Sequence, residues 1–319
     1  MSDNTTVVKK KRSKVVSYNK WGYIFLIPFT VVFIACTLIP QILTFYYSFF
    51  EYFKSSSSPT GWIGPNFVGF KNYITLFTPT DAGVIQILKY FGNTIVMWLM
   101  GAVPQILIAL LLAVFFTSYR LNVKGQRFFK TVIYMPNLIM ASAFSMLFYA
   151  VFSNIGPVNQ ILTSLGGEDA MIDFIFTTIP CRTLIALMNF LMWFGNSTLV
   201  LMSGIMGIDQ SLFEAASIDG ASPLKVFFKV TLPLLKPILI YCVITAMIGG
   251  LQMYDVPQVL TNKMGSPNES TYTLMMWLNR FVGTSKNYGM GGALSVIMFI
   301  ISTILSLIVF KFMVKKGDK

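Results

Sequence analysis

The sequence predicts an all-α integral membrane protein with six membrane-spanning helices. Of its 319 residues, 55% are hydrophobic and only 11% are charged, and its mean hydropathy is +0.68. A soluble domain could not bury this much apolar surface. Six apolar stretches, each near the roughly 20 residues that a helix needs to cross the hydrocarbon core, alternate with polar connections.

The six spans are expected at about 23–50, 93–116, 131–152, 183–207, 238–259 and 293–312. Residues 1–20 form a basic cytoplasmic tail ahead of a six-span domain that occupies residues 21–319. Pro28 and Pro40 lie inside the first span, which is long enough to cross the membrane with tilts or kinks at these positions.

The connections on the outer side are long and polar. In the first of them, the piece 54–59, KSSSSP, is typical of a flexible turn. The segment 66–77, NFVGFKNYITLF, is too mixed in polarity to cross a membrane, so we expect it to lie at the outer surface. The other two outer connections are 154–182 and 260–292.

Basic residues decide the orientation of the spans. Seventeen of the 24 lysines and arginines fall on the side that holds both termini, together with five of the 12 acidic residues. Because cytoplasmic connections are enriched in Lys and Arg, the termini are expected in the cytoplasm of a bacterial or archaeal cell, with the chain in its plasma membrane. The positive charge is thus an orientation signal and does not indicate nucleic-acid binding.

The sequence offers little for catalysis or metal binding. It contains no histidine and no phosphate-cradling GxxxxGK[ST] loop. Cys36, Cys181 and Cys242 lie in or beside apolar spans without CxxC spacing, as small buried hydrophobic residues do. Asp255 is the one candidate for an intramembrane proton carrier, and its alternative role is that of an interfacial acid. We expect no enzyme activity, metal or cofactor in this chain.

The stretch 208–237 is the least apolar long piece between two spans. Its first residues have the pattern of a short helix. Ser211 followed by Glu214 fits a capping box, in which the hydroxyl accepts an amide hydrogen and the carboxylate reaches back. Leu212, Ala215 and Ala216 lie on one face at helical spacing. Gly220 can adopt the positive φ that ends the helix.

A second helix is expected after this bend. Ser222 followed by Pro223 is typical of a helix start, with serine as N-cap and proline at the first helical position. Pro233 and Pro237 are expected to end this helix before the chain re-enters lipid. The product is two short helices at a bend, and from spacing alone an ordinary amphipathic loop is an equal alternative.

The stretch resembles the EAA loop (EAA–x3–G–x9–I–x–LP) of ABC importer permeases. The matching positions are Glu214, Ala215, Ala216, Asp219, Gly220 and Pro233, with Val230 at the Ile position. In that family the loop is the cytoplasmic coupling helix, which sits in a cleft of the ATPase subunit. The resemblance therefore implies that these residues couple the chain to an ATPase.

The resemblance covers about residues 20–315 and is to carbohydrate importers of the maltose and glycerol-phosphate types. The segment 66–77 is similar to FVGxxNYxxLF in one of their two permease types. The family implies a type I importer permease fold. It also implies four kinds of partner: a second homologous permease in a heterodimer, two ATPase subunits that bind ATP and magnesium, an extracytoplasmic solute-binding protein, and the lipid bilayer.

Uncharged polar residues mark a candidate solute pathway. Asn189, Trp193 and Asn196 follow at steps of four and three, so they share one helix face. Gly249 and Gly250 lie well into span five, where a glycine pair loosens a helix and lets backbone groups face a cavity. Amides beside aromatic rings suit a neutral sugar. The alternative is that these polar side chains tie helices together.

The resemblance adds positions to this pathway. Counted without gaps from the EAA loop, the sugar contacts of the maltose permease fall on Asn189, Met192, Trp193, Asn196, Ala246, Gly249, Gly250 and Met253. Gln252 joins them as a polar residue that follows the glycine pair. Only Asn189 keeps the residue type of the maltose permease, so we expect a solute other than maltose.

Three alternative functions remain open at this point. The first is an ABC permease for another solute, such as an amino acid, phosphate or peptide. The second is an autonomous secondary carrier or channel, in which the loop 208–237 would have no coupling role. The third is a membrane enzyme, against which the lack of histidine, of a metal cluster and of a carboxylate pair argues.

The orientation can be tested with cysteine variants and a membrane-impermeant thiol reagent. In intact cells, Ser217→Cys is expected to stay unlabelled, because the charge bias places its loop in the cytoplasm. Asp169→Cys, in the outer connection 154–182, is the matched control and is expected to react. Labelling of Ser217→Cys from outside would contradict the orientation and the coupling role together.

Overall fold

The computed structural model describes residues 19–56, 61–118 and 124–315. The basic tail therefore lies outside the described residues except for its last two positions. The end of the turn-rich piece 54–59 and Arg120 of the basic loop before span three also lie outside them.

The described chain is mainly helical, with one small sheet. Its α-helices are α1 (Asn19–Phe33), α2 (Ile39–Tyr47), α3 (Lys71–Phe77), α4 (Gln86–Thr117), α5 (Gln126–Tyr134), α6 (Ala141–Phe152), α7 (Pro157–Gly166), α8 (Thr178–Met206), α9 (Gln210–Ile218), α10 (Pro223–Val226), α11 (Leu232–Leu251), α12 (Asp255–Leu260), α13 (Leu274–Asn279) and α14 (Tyr288–Lys315). Two strands, β1 (Phe50–Lys54) and β2 (Trp62–Phe67), pair antiparallel.

The six-span prediction is confirmed. The segments long and apolar enough to cross a membrane, within the described residues, are Lys20–Tyr47, Gln86–Thr117, Ala141–Gly166, Thr178–Met206, Pro223–Leu260 and Tyr288–Val314. α4, α8 and α11 pack together, and α8 is the most buried span. Three apolar clusters of buried side chains fill the spaces between these helices and α14.

The first span bends where its sequence predicts. A π-helical turn, Ile34–Leu38, joins α1 to α2 directly before Pro40. Proline has no amide hydrogen to donate and its ring crowds the preceding turn, so a wider turn ahead of it relieves the helix. Residues 20–43 are all exposed, so this part of the span packs on little else in the described chain.

The connection between spans one and two contains the β-hairpin, which the sequence analysis did not predict. Its strands are short and mix polar with aromatic residues, so their period-2 pattern is weak. The hairpin leads into α3, which lies within the segment 66–77 that was expected at the outer surface. α3 packs against α14.

The third span starts later than expected. Instead of one helix over 131–152, α5 ends in a 3₁₀ turn, Met135–Leu138, and the apolar span begins at Ala141. Pro136 cannot donate an α-helical hydrogen bond, which favours a break there. The Asn137 side-chain amide then donates to the Met192 carbonyl oxygen at 3.0 Å, which fixes the turn against α8.

Span five also differs from the prediction. Pro233 and Pro237 do not end a helix, because a π turn at Phe227–Thr231 joins α10 to α11 and the helix continues through both prolines. The wider turn accommodates the missing amide of Pro233. The helix ends at Leu251, and α12 resumes after residues 252–254.

Small residues let α8 approach its neighbours closely. A Cβ added to Gly195 would lie 2.1 Å from the carbonyl oxygen of Ile133 in α5. A Cβ added to Gly101 of α4 would lie 3.0 Å from the carbonyl oxygen of Ala186 in α8. Such close backbone contacts are the usual basis of helix association in membranes.

Gly195→Ala is expected to lower the stability of the protein by about 1–3 kcal/mol, because the new methyl group overlaps a backbone carbonyl that cannot turn away. Gly249→Ala is the matched control, since a Cβ there meets nothing within 4 Å. Thermal unfolding of both variants in the same lipid or detergent measures the difference. Equal melting temperatures would contradict the close packing of α5 on α8.

Candidate functional site

A cavity of about 390 Å³ lies between α4, α8 and α11. Its position is intramembrane, because each of these helices crosses the membrane and contributes residues from its middle turns. The lining residues are Met97, Trp98, Gly101, Ala102, Gln105, Asn189, Trp193, Asn196, Ser197, Val200, Tyr241, Cys242, Thr245, Ala246, Gly249, Gly250 and Met253. None of these carries a charge.

Most of the predicted pathway residues meet in this cavity. The residues brought together are Asn189, Trp193, Asn196, Ala246, Gly249, Gly250 and Met253. Two are placed elsewhere. Met192 is 7% exposed, packs in an apolar cluster and does not line the cavity. Gln252 is exposed just beyond the end of α11 and does not line the cavity.

The sequence reading missed the wall that α4 provides. Trp98, Gly101 and Gln105 recur at steps of three and four, so they share one face of this helix. Gln105 is an amide in the middle of a strongly apolar span, and that signal could have identified the face. Tyr241, Thr245 and Ser197 also line the cavity and were not selected.

Hydrogen bonds separate the polar residues that tie helices from those that do not. The Gln105 amide donates to the Ser197 hydroxyl at 2.9 Å, which joins α4 to α8. Asn189 instead donates within its own helix, to the Ile185 carbonyl oxygen at 2.9 Å, and has a weaker contact with the Met253 sulfur at 3.6 Å. Asn196 makes no side-chain hydrogen bond within the described part of the chain, so its amide is available to a solute.

The two glycines of span five have different surroundings. A Cβ on Gly250 would lie 2.0 Å from Cδ1 of Trp98, so this glycine lets the indole ring lie directly on the α11 backbone. A Cβ on Gly249 would meet nothing within 4 Å, so this glycine leaves the cavity open. The helix runs through both residues and breaks only after Leu251. The glycine pair predicts a loosened helix at 249–250, whereas the helix breaks at 252–254.

Packed side chains bound the cavity on both sides along the membrane normal. Towards the N-terminal end of α8, Met97, Met188 and Met253 pack with aliphatic residues of α8 and α12. Towards the C-terminal end of α8, α4, α8 and α11 meet through a second apolar cluster that includes Leu201. The cavity therefore lies between two apolar layers near the middle of the bundle.

A candidate coupling element joins the C-terminal end of α8 to the N-terminal end of α11. The predicted capping box is wrong in its first residue: the N-cap of α9 is Asp209, whose carboxylate accepts from the Ser211 amide at 2.9 Å. This hydrogen bond holds the pKa of Asp209 below its usual range. The sequence Asp209-Gln210-Ser211 contains two residues that can cap, and the backbone conformation selects the first.

The end of α9 agrees with the prediction. Gly220 has a φ of +68°. Its amide donates to the Ser217 carbonyl oxygen at 3.1 Å, and the Ala221 amide donates to the Ala216 carbonyl oxygen at 2.9 Å. These two bonds form a Schellman motif, which needs a left-handed residue at the glycine position. Ser222 then caps α10, so the bend between the two helices is held by backbone geometry.

The outer surface of α9 is apolar and unusually exposed. Leu212 is 43% exposed, and the exposed Ala215 lies on the same face. On the other side of α9, a cleft of about 540 Å³ separates it from the C-terminal ends of α4 and α8, from α10 and from the π turn Phe227–Thr231. Ile218 is 86% exposed and lines this cleft. Glu214 is exposed at this cleft and forms no ion pair with any described residue.

The other candidate chemistry has no support in this geometry. Asp255 is exposed at the start of α12 and does not line the cavity. This position fits an interfacial acid better than an intramembrane proton carrier. No group of three or more Asp, Glu, Cys or His side chains in the described chain could hold a metal ion.

Comparisons with known proteins agree with this architecture. The family described as "Binding-protein-dependent transport system inner membrane component" matches residues 102–316. The probable ABC transporter permease protein YesP of Bacillus subtilis is 28% identical over 313 residues, covering 98% of this chain and 96% of that protein. The multiple sugar-binding transport system permease protein MsmF of Streptococcus mutans is 30% identical over 300 residues, covering 91% and 94%.

Solved structures show the same fold. A subunit of a bacterial ABC transporter involved in import of the acidic polysaccharide alginate superposes with a TM-score of 0.74 at 20% identity, covering 94% of this chain and 97% of that one. A chain of the MetNI methionine ABC transporter gives 0.52 at 14% identity, covering 78% and 99%. The chain therefore belongs to the family of binding-protein-dependent transport system inner membrane components and has the six-span fold of ABC importer permeases.

Proposed function

We propose that this chain is the sugar-conducting permease subunit of an ATP-driven importer, and that its solute is a neutral sugar or oligosaccharide. The observation that carries the proposal is the cavity between α4, α8 and α11. It has amides, hydroxyls and aromatic rings in its wall and no charged side chain.

The chemistry of the wall fits a carbohydrate. Asn189, Asn196 and Gln105 offer amides that pair with hydroxyl groups as donors and acceptors. The rings of Trp98, Trp193 and Tyr241 can cover the apolar face of a sugar ring. Trp193 is 48% exposed, so its ring is accessible from the cavity side of α8.

The printed names of relatives support the same solute class. AraP of Bacillus subtilis, an arabinooligosaccharide transport permease, is 29% identical over 291 residues, covering 91% of this chain and 87% of that protein. MsmF carries a multiple-sugar name. The alginate importer takes an acidic polysaccharide, whereas the uncharged cavity here favours a neutral solute.

The proposed drive is mechanical. α9 joins the two spans that carry most of the cavity wall, and its exposed apolar face is a surface on which an ATPase subunit can dock. The capped start and the Schellman end make α9 and its bend stiff, so a displacement of α9 would move α8 and α11. The ATPase subunits would bind ATP and magnesium, and this chain would hydrolyse none.

The proposed assembly contains a second permease, two ATPase subunits and an extracytoplasmic solute-binding protein. The fully exposed residues 20–43 leave one side of span one open to a second permease or to lipid. Both termini would lie in the cytoplasm of a cell whose plasma membrane holds the complex, as the charge bias requires. No nucleic acid takes part.

A permease for a charged solute is the second candidate. Its fold would be the same, as the similarity to the methionine transporter illustrates. An ion in an intramembrane cavity normally meets an opposite charge or a helix terminus. The uncharged wall therefore argues against an amino acid or phosphate.

The coupling role predicts that Glu214→Lys and Gly220→Val leave the protein inserted but uncouple uptake from ATP hydrolysis. Valine resists the left-handed backbone that Gly220 adopts, and lysine reverses the charge at the cleft. Gly220→Asn is the matched control, because asparagine tolerates that conformation. Radiolabelled-sugar uptake and ATPase assays on the reconstituted complex measure both rates. Normal ATP-driven uptake by the lysine and valine variants would contradict the coupling role.

The pathway predicts that Asn189→Ala and Trp193→Ala change the KM or maximal rate of uptake without weakening ATPase binding. Each removes a group that lines the cavity. Met192→Leu is the control from the same helix, since its side chain does not line the cavity. Uptake kinetics and ATPase co-purification separate the two effects. Unchanged uptake kinetics in both alanine variants would contradict the pathway role and would indicate that Asn189 and Trp193 only tie helices together.

A further inference from the structure

The short helix α3, on the outer side of the protein, has three distinct faces. Asn72 and Leu76 are buried against the bundle. Lys71 and Thr75 form an exposed polar face. The third face is apolar and exposed, and with the preceding Phe67 it consists of Phe70, Ile74 and Phe77.

This apolar face is held outward by hydrogen bonds on the opposite side of α3. The Asn72 amide donates to the carbonyl oxygens of Ser48 and Phe50, each at 2.9 Å. The Tyr73 hydroxyl donates to the Ser48 hydroxyl at 2.7 Å. These bonds fix α3 to the outer end of span one, so it cannot roll to bury its apolar face without breaking them.

The exposure of these side chains is large for a segment outside the spans. Phe67 is 73% exposed, Phe70 and Ile74 are each 67% exposed, and Phe77 is 48% exposed. Contiguous apolar surface of this kind on a protein marks a contact with another molecule or with lipid.

Ring contacts connect this surface to the lipid-facing side of span one. Phe67 contacts Phe50 with 5.4 Å between ring centroids, and Phe50 stacks on Tyr46 at 4.3 Å. Tyr46 is 50% exposed at the outer end of the span. The preceding residue, Phe45, contacts Phe299 of span six, and both rings are exposed. The apolar face of α3 therefore continues the surface that the bilayer covers.

We propose that Phe67, Phe70, Ile74 and Phe77 form an interfacial anchor that is inserted in the outer leaflet of the membrane. The polar face of α3 would then meet the headgroups, where the exposed Lys71 forms a loose ion pair with Glu51 at 3.9 Å. Amphipathic segments bind membranes in this way, with the apolar side below the headgroups and basic residues above.

The anchor would hold the outer ends of spans one and six at a fixed depth. α3 packs on α14, and at Gly289 an added Cβ would lie 3.1 Å from Nδ2 of Asn72 in α3 and 2.2 Å from the Phe50 carbonyl oxygen in β1. The segment 66–77 then has a role that depends on lipid and not on solute.

Spin labelling tests the anchor. Cysteines replace Ile74 and, as a matched control on the polar face, Thr75, in a chain with Cys36→Ala; Cys181 and Cys242 are buried. The chain is studied with its co-purifying partner subunits in lipid nanodiscs. Collisions of the nitroxide with oxygen, which concentrates in lipid, and with a water-soluble nickel chelate are measured by power saturation.

The label at Ile74→Cys is expected to show a several-fold higher ratio of oxygen to nickel accessibility than the label at Thr75→Cys. Equal ratios at the two positions would show that the face meets water and would overturn the proposal. Low accessibility to both reagents at position 74 would show that protein covers it, and would overturn the proposal equally. Addition of an extracytoplasmic binding protein should leave the ratio unchanged, and a fall would assign the surface to that protein.

Discussion

The close approach of the α8 backbone to its neighbours is the contact on which the rest of the bundle depends. Gly195 allows the α5 backbone to pack directly on α8, and Gly101 allows α4 to pack directly on Ala186 of α8. With α8 fixed from both sides, its remaining face can carry half-buried polar groups that line the cavity, including Asn196, without losing the helix. In lipid, where burial of apolar surface does not drive helix association, such packing replaces the hydrophobic core of a soluble protein.

α11 is the less constrained wall of the cavity. It begins after a π turn, ends before the break at 252–254, and meets α4 through the contact of Trp98 with Gly250. The same helix continues, through α10, from the bend at Gly220. A displacement of α9 is therefore transmitted to the cavity wall through a short stretch of backbone. Gly250 has no side chain that would obstruct the separation of α11 from α4.

Polar side chains hold the loop after α12 against the spans. Burial raises the pKa of Glu269, but its hydrogen bonds with Lys89 and Tyr90 outweigh this, and the pKa is held below its usual range. Asn93 donates to the Glu269 carbonyl oxygen at 2.8 Å, and Arg182 donates to Asn93 at 2.7 Å. The loop after α12 is thereby fixed across α4 and α8.

The sequence by itself determined the six spans, the bend at Gly220 and the shared face of Asn189, Trp193 and Asn196, because hydropathy, backbone freedom and helical spacing are local properties. Only the tertiary structure decided that α4 supplies a third wall, that Met192 faces the core, that Asp209 takes the cap from Ser211, and that the helix continues past Pro233. The α4 wall and the packing of Met192 depend on which helix faces meet across the bundle, and so on residues far apart in the chain. The cap and the continuous helix depend on how the backbone of neighbouring turns adjusts, which the residue types alone do not decide.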